Sequence, residues 1–249
     1  TGIRFNAGYY LTDDVRQNWS YDIRKSKIDD VSSNAAALIK AELGTEYGSE
    51  VGHKIGIDTR DSAITPTSGY SASFATDVAG LGGTLRHMRN TVQGGYYYPV
   101  ADQWILSAGG KFGYIVGLGK DVHFRERYYI GGEDLRGFET AGVGPRDGLT
   151  GDSLGAEWMY TGTVSLSVPL GLPAEFGMSG RVFTDFGSSG HIDPSDTNTK
   201  DEGSLRASAG LGVTWVSPFG PLGIDAGIPL AKESFDKTEL IRINFGAQF

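Results

Sequence analysis

The residue types that most often do chemistry in proteins are sparse in this chain of 249 residues, which has no cysteine and four histidines. Without cysteine there is no thiol nucleophile, thiolate metal site or disulfide. The histidines stand at positions 53, 87, 123 and 191, and their spacing is not that of a metal-binding motif. No G-x-S-x-G sequence marks a serine nucleophile. The sequence therefore predicts a protein that is not an enzyme and has no metal site and no cofactor.

The glycine pairs and the charges also argue against common ligand classes. Gly82-Gly83 and Gly109-Gly110 lack the strand-to-helix setting of a phosphate-binding loop. The formal net charge is −8, and no run of five or more Lys or Arg residues occurs, so no nucleic-acid partner is expected. The acidic stretch 193–202 fits a solvated loop and lacks the spacing of a calcium-binding EF-hand.

Apolar and polar residues alternate along most of the chain, which is typical of β-strands with two different faces. Residues 2–11 (GIRFNAGYYL) show the pattern, and residues 240–249 (LIRINFGAQF) show it again. A soluble antiparallel sheet would also alternate. The segments here are about ten residues long, which is enough for a tilted strand to cross a bilayer, and their polar faces carry charges and glycines that suit a lumen. The sequence predicts an all-β fold, a transmembrane antiparallel β-barrel.

About twelve such strands are predicted, an even number as in most bacterial barrels. Short turns alternate with longer loops, so one rim is expected to face the periplasm and the other the outside. Backbone groups at an open edge are costly in lipid, so residues 2–11 are predicted to pair with residues 240–249 and close the barrel. Residues 1–249 are thus expected to form a single barrel domain. The predicted strands begin near Gly2, Val15, Ala35, Val51, Gly69, Leu85, Trp104, Glu157, Met178, Gly203, Pro221 and Leu240.

Aromatic residues gather near the predicted strand ends, as they do in the interfacial girdles of membrane barrels. This pattern also favours a membrane protein over a soluble sandwich. The residues are Tyr9, Tyr10, Trp19, Tyr21, Tyr96, Tyr97, Tyr98, Tyr128 and Tyr129.

The longest connection, residues 119–156, contains the sequence Leu135-Arg136-Gly137-Phe138. Loops of this length are uncommon in compact proteins unless they have a use. An arginine that enters a barrel lumen needs an acidic partner, because an unpaired buried charge is costly. By strand parity, Asp185 in the segment 181–187 (RVFTDFG) faces the lumen.

These motifs resemble those of the Omp85 superfamily of outer-membrane barrels, and most closely its BamA-type assembly factors. The quartet 135–138 is similar to the family sequence [V/I]-R-G-[F/Y], with leucine at the first place. The resemblance implies that the long loop folds into the lumen and that Arg136 pairs with Asp185. A second acid of the family, a glutamate, falls at Ser167. Inward-facing acids that could replace it are Asp225, Asp77 and Glu42.

The last predicted strand resembles the terminal recognition signal of outer-membrane proteins, with Ile241, Ile243, Phe245 and Phe249 on one face. The alternative is an ordinary lipid-facing strand. Both interpretations can hold together, since recognition would precede burial in lipid.

The resemblance implies the core of an insertase that assembles other outer-membrane proteins in the bacterial outer membrane. Its partners would be outer-membrane lipids, unfolded outer-membrane protein clients and, in the complete protein, assembly lipoproteins. Complete family members also carry periplasmic POTRA domains and further strands. The sequence is therefore expected to be a truncated barrel core, which would keep the fold and could lack the activity.

Two other functions stay open at this point. One is a passive outer-membrane pore or adhesin-like barrel, whose loop should not carry the quartet 135–138 together with a lumenal Asp185. The other lies within the same superfamily, a TamA-like or two-partner-secretion translocator. An enzyme in the barrel, such as a phospholipase, would need a Ser/His pair that the sequence does not show.

Overall fold

A computed structural model of the chain describes residues 1–217 and 220–245. Within these residues the secondary structure is almost entirely β. In chain order the elements are β1 (Gly2–Tyr10), β2 (Val15–Ile28), α1 (Ala37–Ala41), β3 (Gly44–Asp58), β4 (Gly69–Ala79), β5 (His87–Ala101), β6 (Trp104–Gly117), a 3₁₀ helix (Phe124–Glu126), β7 (Arg146–Asp147), β8 (Trp158–Pro169), a 3₁₀ helix (Ala174–Phe176), β9 (Met178–Gly190), β10 (Thr199–Lys200), β11 (Arg206–Ser217), β12 (Gly220–Ala231) and β13 (Ile241–Phe245).

Eleven of the strands form one antiparallel sheet in the order β1-β2-β3-β4-β5-β6-β8-β9-β11-β12-β13. The short strands β7 and β10 pair with each other in a separate ladder. Neighbours in the large sheet follow each other along the chain apart from these two insertions, so the wall is built by successive hairpins. No helix among the described residues is long and apolar enough to cross a membrane.

The two faces of the large sheet differ as the alternation predicts. The outer face carries exposed apolar side chains on strand after strand, for example Leu211 at 63% and Ile224 at 54% exposure. The opposite face carries buried polar and charged side chains, among them Asp185, Arg206 and Asp225. In a bilayer the first face meets lipid, and the second encloses a polar interior.

The connections separate into a turn edge and a loop edge of the sheet, because consecutive strands run in opposite directions. The turn edge holds residues 11–14, 59–68, 102–103 and 170–177. The loop edge holds residues 29–43, 80–86, 118–157, 191–205 and 232–240.

The prediction of a strand that begins near Ala35 is wrong. Residues 37–41 form the helix α1, which lies in a loop between β2 and β3. Ala36 is fully buried against Leu154 and Ile192, which come from two other loops of the same edge. Leu38 and Ile39 pack against the same cluster, as consecutive residues of a helix do, rather than as alternate residues of a strand. The strand predicted near Val51 begins at Gly44, so the large sheet has eleven strands in the described residues, one fewer than the predicted segments.

Among the described residues, no ladder joins the first strand to the last, which were predicted to pair. β1 pairs with β2, β13 pairs with β12, and the two strands stand at opposite ends of the sheet order. Eleven strands that alternate in direction leave β1 and β13 running the same way. The antiparallel closure expected from an even count is therefore not available to them.

The aromatic residues divide between the two environments. Tyr9, Tyr10 and Tyr98 are more than half exposed on β1 and β5, close to the turn edge, as a girdle requires. Tyr128 and Tyr129 do not belong to a girdle. They lie in the long loop, where Tyr128 packs against a buried apolar cluster.

Candidate functional site

The long loop 118–157 lies against the inner face of the sheet. Ile130, Leu135 and Phe138 have no exposed surface, and they pack with Val143 and with Met159 of β8. The first and last residues of the quartet 135–138 are therefore apolar anchors. Their burial fixes the backbone between them, and so fixes where the arginine side chain can reach.

Arg136 is joined to Asp185 of β9 through three hydrogen bonds. Its Nε donates to Oδ2 at 2.8 Å, its Nη2 donates to Oδ1 at 2.7 Å, and its backbone N–H donates to Oδ2 at 3.0 Å. The two side chains are only 7% and 2% exposed. A paired guanidinium and carboxylate with two parallel bonds is the strongest form of this contact, and the low exposure keeps water from competing.

Two neighbours fix the orientation of the Arg136 side chain. Nη2 also donates to Oγ1 of Thr163 at 3.0 Å, and that hydroxyl donates to Oδ1 of Asp185 at 2.7 Å. The guanidinium carbon lies 3.5 Å from the centre of the Phe183 ring, in the position of a cation–π contact. Sequence reasoning missed both neighbours, although Thr163 stands directly opposite Asp185 in the ladder of β8 and β9.

A second acid, Asp225 of β12, completes the charge balance. Its Oδ1 lies 3.9 Å from Nη1 of Arg136, and its carboxylate accepts hydrogen bonds from Arg181 at 2.7 and 2.8 Å and from Asn244 of β13 at 2.8 Å. Two arginines and two aspartates thus alternate across β9, β12 and the loop. Of the three acids considered as substitutes for the residue at Ser167, the structure brings Asp225 to Arg136.

The other two candidates lie at different places. Glu42 accepts a hydrogen bond from the backbone N–H of Phe124 at 3.0 Å, near the start of the long loop. Asp77 lies on β4, directly opposite Gly52 of β3.

Glycines let the loop backbone touch the sheet. Gly137 has a φ of +91°, which side chains disfavour, and a Cβ there would lie 3.1 Å from Cβ of Ser208. A Cβ on Gly227 of β12 would lie 3.0 Å from the backbone nitrogen of Gly137. The two glycines therefore face each other, and the loop passes over β12 at backbone distance.

The loop tip also pairs with the connection that precedes the last strand. The N–H of Glu139 donates to the carbonyl of Lys237, and the N–H of Lys237 donates to the carbonyl of Gly142, both at 3.0 Å. The N–H of Glu239 donates to the carbonyl of Gly137 at 3.1 Å. A short β-like contact thus links the quartet to the segment just before β13.

The residues of the predicted terminal signal lie on the outer face of β13. Ile241, Ile243 and Phe245 are 58%, 59% and 78% exposed. Phe249 lies outside the described residues. The role of these residues as a recognition signal stays a prediction.

Further buried groups hold the loop to itself. Burial lowers the pKa of Arg146, whose guanidinium donates to the carbonyls of Gly151 at 2.6 Å and Ala141 at 2.7 Å. Burial raises the pKa of Tyr129 to about 12, and its hydroxyl donates to the carbonyl of Phe124 at 2.8 Å. At neutral pH the arginine is charged and the phenol is neutral, so both act as donors to backbone oxygens.

Comparison with known proteins finds a matching family domain and similar proteins. The Omp85 superfamily domain matches residues 1–249. The outer membrane protein assembly factor BamA of Neorickettsia risticii is 31% identical over 249 residues, which cover 98% of this chain and 33% of that protein. The outer membrane protein assembly factor BamA of Nitratidesulfovibrio vulgaris is 30% identical over 216 residues, covering 85% of this chain and 27% of that protein.

A eukaryotic relative matches a smaller part. The sorting and assembly machinery component 50 homolog of Mus musculus is 29% identical over 156 residues, covering 61% of this chain and 33% of that protein. The chain thus spans about a third of the length of the curated relatives that it matches.

The crystal structure of BamA from Haemophilus ducreyi lacking POTRA domains 1–3 has a TM-score of 0.78 to this structure. At 20% identity the superposition covers 100% of this chain and 54% of that one, and it shows the barrel fold. The predicted barrel, the resemblance to BamA-type factors and the localisation in the bacterial outer membrane are confirmed by these comparisons. With its full length matched by the family's domain, the chain belongs to the Omp85 superfamily.

Proposed function

We propose that this chain is the loop-bearing part of an outer-membrane barrel that inserts other β-barrel proteins into the bacterial outer membrane. The observation that carries the proposal is the buried Arg136–Asp185 pair, which holds the long loop against the inner face of the sheet in a chain with the family's domain. Two relatives at 30–31% identity are named as outer-membrane protein assembly factors. Insertion of this kind uses strand pairing and needs no catalytic residue.

The sheet offers the means for such pairing at its ends. β1 and β13 are the end strands of the sheet order, and an end strand presents backbone N–H and C=O groups to a new strand. An unfolded outer-membrane protein is the client that fits, since its strands need partners before they enter lipid. Outer-membrane lipids would cover the exposed apolar face, and assembly lipoproteins would act in the complete protein.

We further propose that residues 1–249 act as one transmembrane unit within that protein, as a barrel core separate from POTRA domains. The last strand, with Ile241, Ile243, Phe245 and Phe249, would serve as the signal by which this chain is itself assembled. The loop would stay fixed to the sheet, while the end strands of the sheet pair with the strands of a client protein.

A chimaera tests the proposal. Residues 1–249 would replace the aligned segment of the Nitratidesulfovibrio vulgaris relative, in a strain depleted of its own protein. The chimaera is expected to restore growth and the assembly of client barrels. Arg136→Ala in the same chimaera is expected to reduce client assembly, because the loop loses its attachment to Asp185.

The control is the folded state of each chimaera, read from its shift in gel mobility on heating. A chimaera that folds in the outer membrane at normal abundance and still fails to assemble clients would contradict the proposal. Ion conductance of this chain in planar bilayers, without any acceleration of client folding, would favour the passive pore instead.

A further inference from the structure

Three side chains from three separate elements converge at the loop edge, away from Arg136. They are Glu50 of β3, His87 at the start of β5, and Glu126 in the 3₁₀ helix of the long loop. One nitrogen or oxygen atom from each lies within 4.8 Å of the other two. Nε2 of His87 is 3.2 Å from Oε2 of Glu50.

Two of these three side chains are buried, and their ligand atoms face each other. His87 is 1% exposed and Glu50 is 9% exposed. Nε2 of His87 and Oε2 of Glu50 face each other at 3.2 Å without a well-directed hydrogen bond, and Nη2 of Arg24 lies 3.8 Å from the same oxygen. Buried polar atoms whose hydrogen bonds are poorly directed are costly, so a nitrogen and an oxygen aimed at the same space indicate a ligand for both.

The local charge favours a cation. Arg24 donates to Oε1 of Glu126 at 2.7 Å, and Nη2 of Arg89 lies 3.3 Å from Oε2 of the same carboxylate. Each carboxylate oxygen has a second lone pair, so Glu126 keeps a free position on either side. Four carboxylates interact here with three guanidinium groups, which leaves one net negative charge while His87 is neutral. The groups are Asp22, Glu50, Asp77, Glu126, Arg4, Arg24 and Arg89.

We propose that Glu50, His87 and Glu126 form a binding site for a divalent transition-metal ion of the zinc type. One imidazole nitrogen and two carboxylate oxygens are a ligand set that such ions accept, with water at the remaining positions. Bonds of about 2.0–2.2 Å let two ligand atoms stand roughly 4 Å apart, so the present separation of up to 4.8 Å closes with small side-chain rotations.

An ion at this site would tie the beginning of the long loop to the wall. Glu126 belongs to the loop, whereas Glu50 and His87 belong to two strands that are separated by β4. Arg136 fixes the loop at its tip, so the ion would add a second attachment at its base. The spacing of the histidines in sequence gave no indication of the site, because each ligand comes from a different element.

Cobalt binding tests the site on the whole chain, prepared without a histidine tag, freed of metal and folded in detergent. We expect one Co²⁺ per chain by equilibrium dialysis, with visible absorption bands that disappear when Zn²⁺ is added. His87→Gln and Glu50→Gln should each weaken binding by about tenfold or more. The matched control is His123→Gln, which changes a histidine of the long loop that lies 2.9 Å from Glu42 and 3.0 Å from Glu46 and is not one of the three proposed ligands. It should leave the affinity unchanged.

A second measurement reads the loop directly. Zn²⁺ should slow proteolysis within residues 119–127 in the wild-type chain and have no such effect in Glu50→Gln. Failure of the folded wild-type chain to bind Co²⁺ would overturn the proposal, and so would binding that depends on His123 rather than His87. If His87→Gln does not fold, as judged by its heat-dependent gel mobility, wild-type stoichiometry and Glu50→Gln decide the question.

Discussion

Arg136 illustrates how a charged residue becomes structural when its backbone N–H, Nε and Nη2 all meet acceptors at hydrogen-bond distance. Its guanidinium meets a carboxylate, a hydroxyl and an aromatic face, all within a pocket that excludes water. Breaking such a pair by removing one partner is costly, because the remaining charge stays buried without compensation. The contact therefore acts as a lock on the loop.

Asp185→Asn tests most directly whether the pair with Arg136 holds the loop. The substitution keeps the shape of the side chain but removes the charge that compensates Arg136. We expect a loss of about 1–3 kcal/mol in the free energy of unfolding, the range for an unsatisfied buried partner. Thermal and urea unfolding of the chain in detergent would measure it.

Asp102→Asn is the matched control, since Asp102 is an exposed acid in the turn between β5 and β6. It should leave the unfolding free energy unchanged. Equal stability of Asp185→Asn and wild type would mean that the loop is held by its apolar anchors alone.

The glycine contact between the loop and β12 gives a second prediction at this scale. In Gly227→Ala the new Cβ would lie 3.0 Å from the backbone nitrogen of Gly137, and backbone cannot rotate away. We expect the loop to be pushed off the wall, with a cost of about 1–3 kcal/mol, as for other overpacked sites.

Protease sensitivity of residues 131–142 and urea unfolding would report that displacement. Gly109→Ala is the control, because a Cβ there has its nearest neighbour at 3.5 Å, an ordinary contact. A Gly227→Ala chain with wild-type stability and an equally protected loop would show that the approach is looser than the structure indicates.

Some of these residues could be predicted from the sequence and others could not. Strand parity alone places Asp185 on the inner face, and the cost of an unpaired arginine supplies the reason to look for it. Phe183 and Thr163 could not be selected in that way. Their roles depend on the register between β8 and β9 and on where the loop crosses them, and neither is encoded in a local pattern.

Among the larger elements, the long loop and the segment before β13 form one unit. Lys237→Pro would remove the N–H that donates to the carbonyl of Gly142. We expect faster amide exchange at Glu139 and Glu239, whose own bonds cross the same contact. Hydrogen exchange with mass spectrometry on peptides 137–142 and 237–242 would detect the change.

Lys237→Ala retains the backbone N–H and serves as the control for this prediction. Its exchange pattern should match that of wild type. If the proline chain is protected to the same degree, the contact between the loop and residues 237–239 does not hold the segment in solution.

Residues 35–43 show where pattern reasoning fails for an element. Ala37, Ile39 and Ala41 alternate with longer side chains, as in a strand, but the segment forms α1. Short apolar runs fit either period, and the tertiary contacts of Ala36 with Leu154 and Ile192 decide the outcome. Strands of ten or more residues carry enough repeats to be recognised. Their starts were predicted to within about three residues, apart from β3, which begins at Gly44 rather than near Val51.

For the molecule as a whole, the direction of the end strands determines how its edges can pair. β1 and β13 run the same way, so they cannot form the antiparallel ladder that joins every other neighbouring pair. We expect cysteines at Phe5 and Ile243, introduced together, to form disulfides between chains in detergent and not within one chain. Non-reducing gels would separate the two products.

A second pair of introduced cysteines serves as the positive control for disulfide formation within one chain. Phe5 stands directly opposite Tyr21 in the ladder of β1 and β2, so cysteines at these two positions should cross-link inside one chain. An intramolecular disulfide between positions 5 and 243 would contradict the edge arrangement described here.

The attachments of the loop tip also have an order in time. Asp185, Ser208, Gly227 and Lys237 all follow the loop in the sequence, and Arg136 precedes Asp185 by 49 residues. A ribosome therefore releases the quartet 135–138 long before the residues that receive it. The base of the loop contacts strands that precede it, through Arg24, Asn90 and Thr91, whereas the contacts of its tip need hairpins that follow it. The last contacts of the tip form only after the segment before β13 is in place. A fully attached loop therefore indicates a sheet that is complete up to that segment.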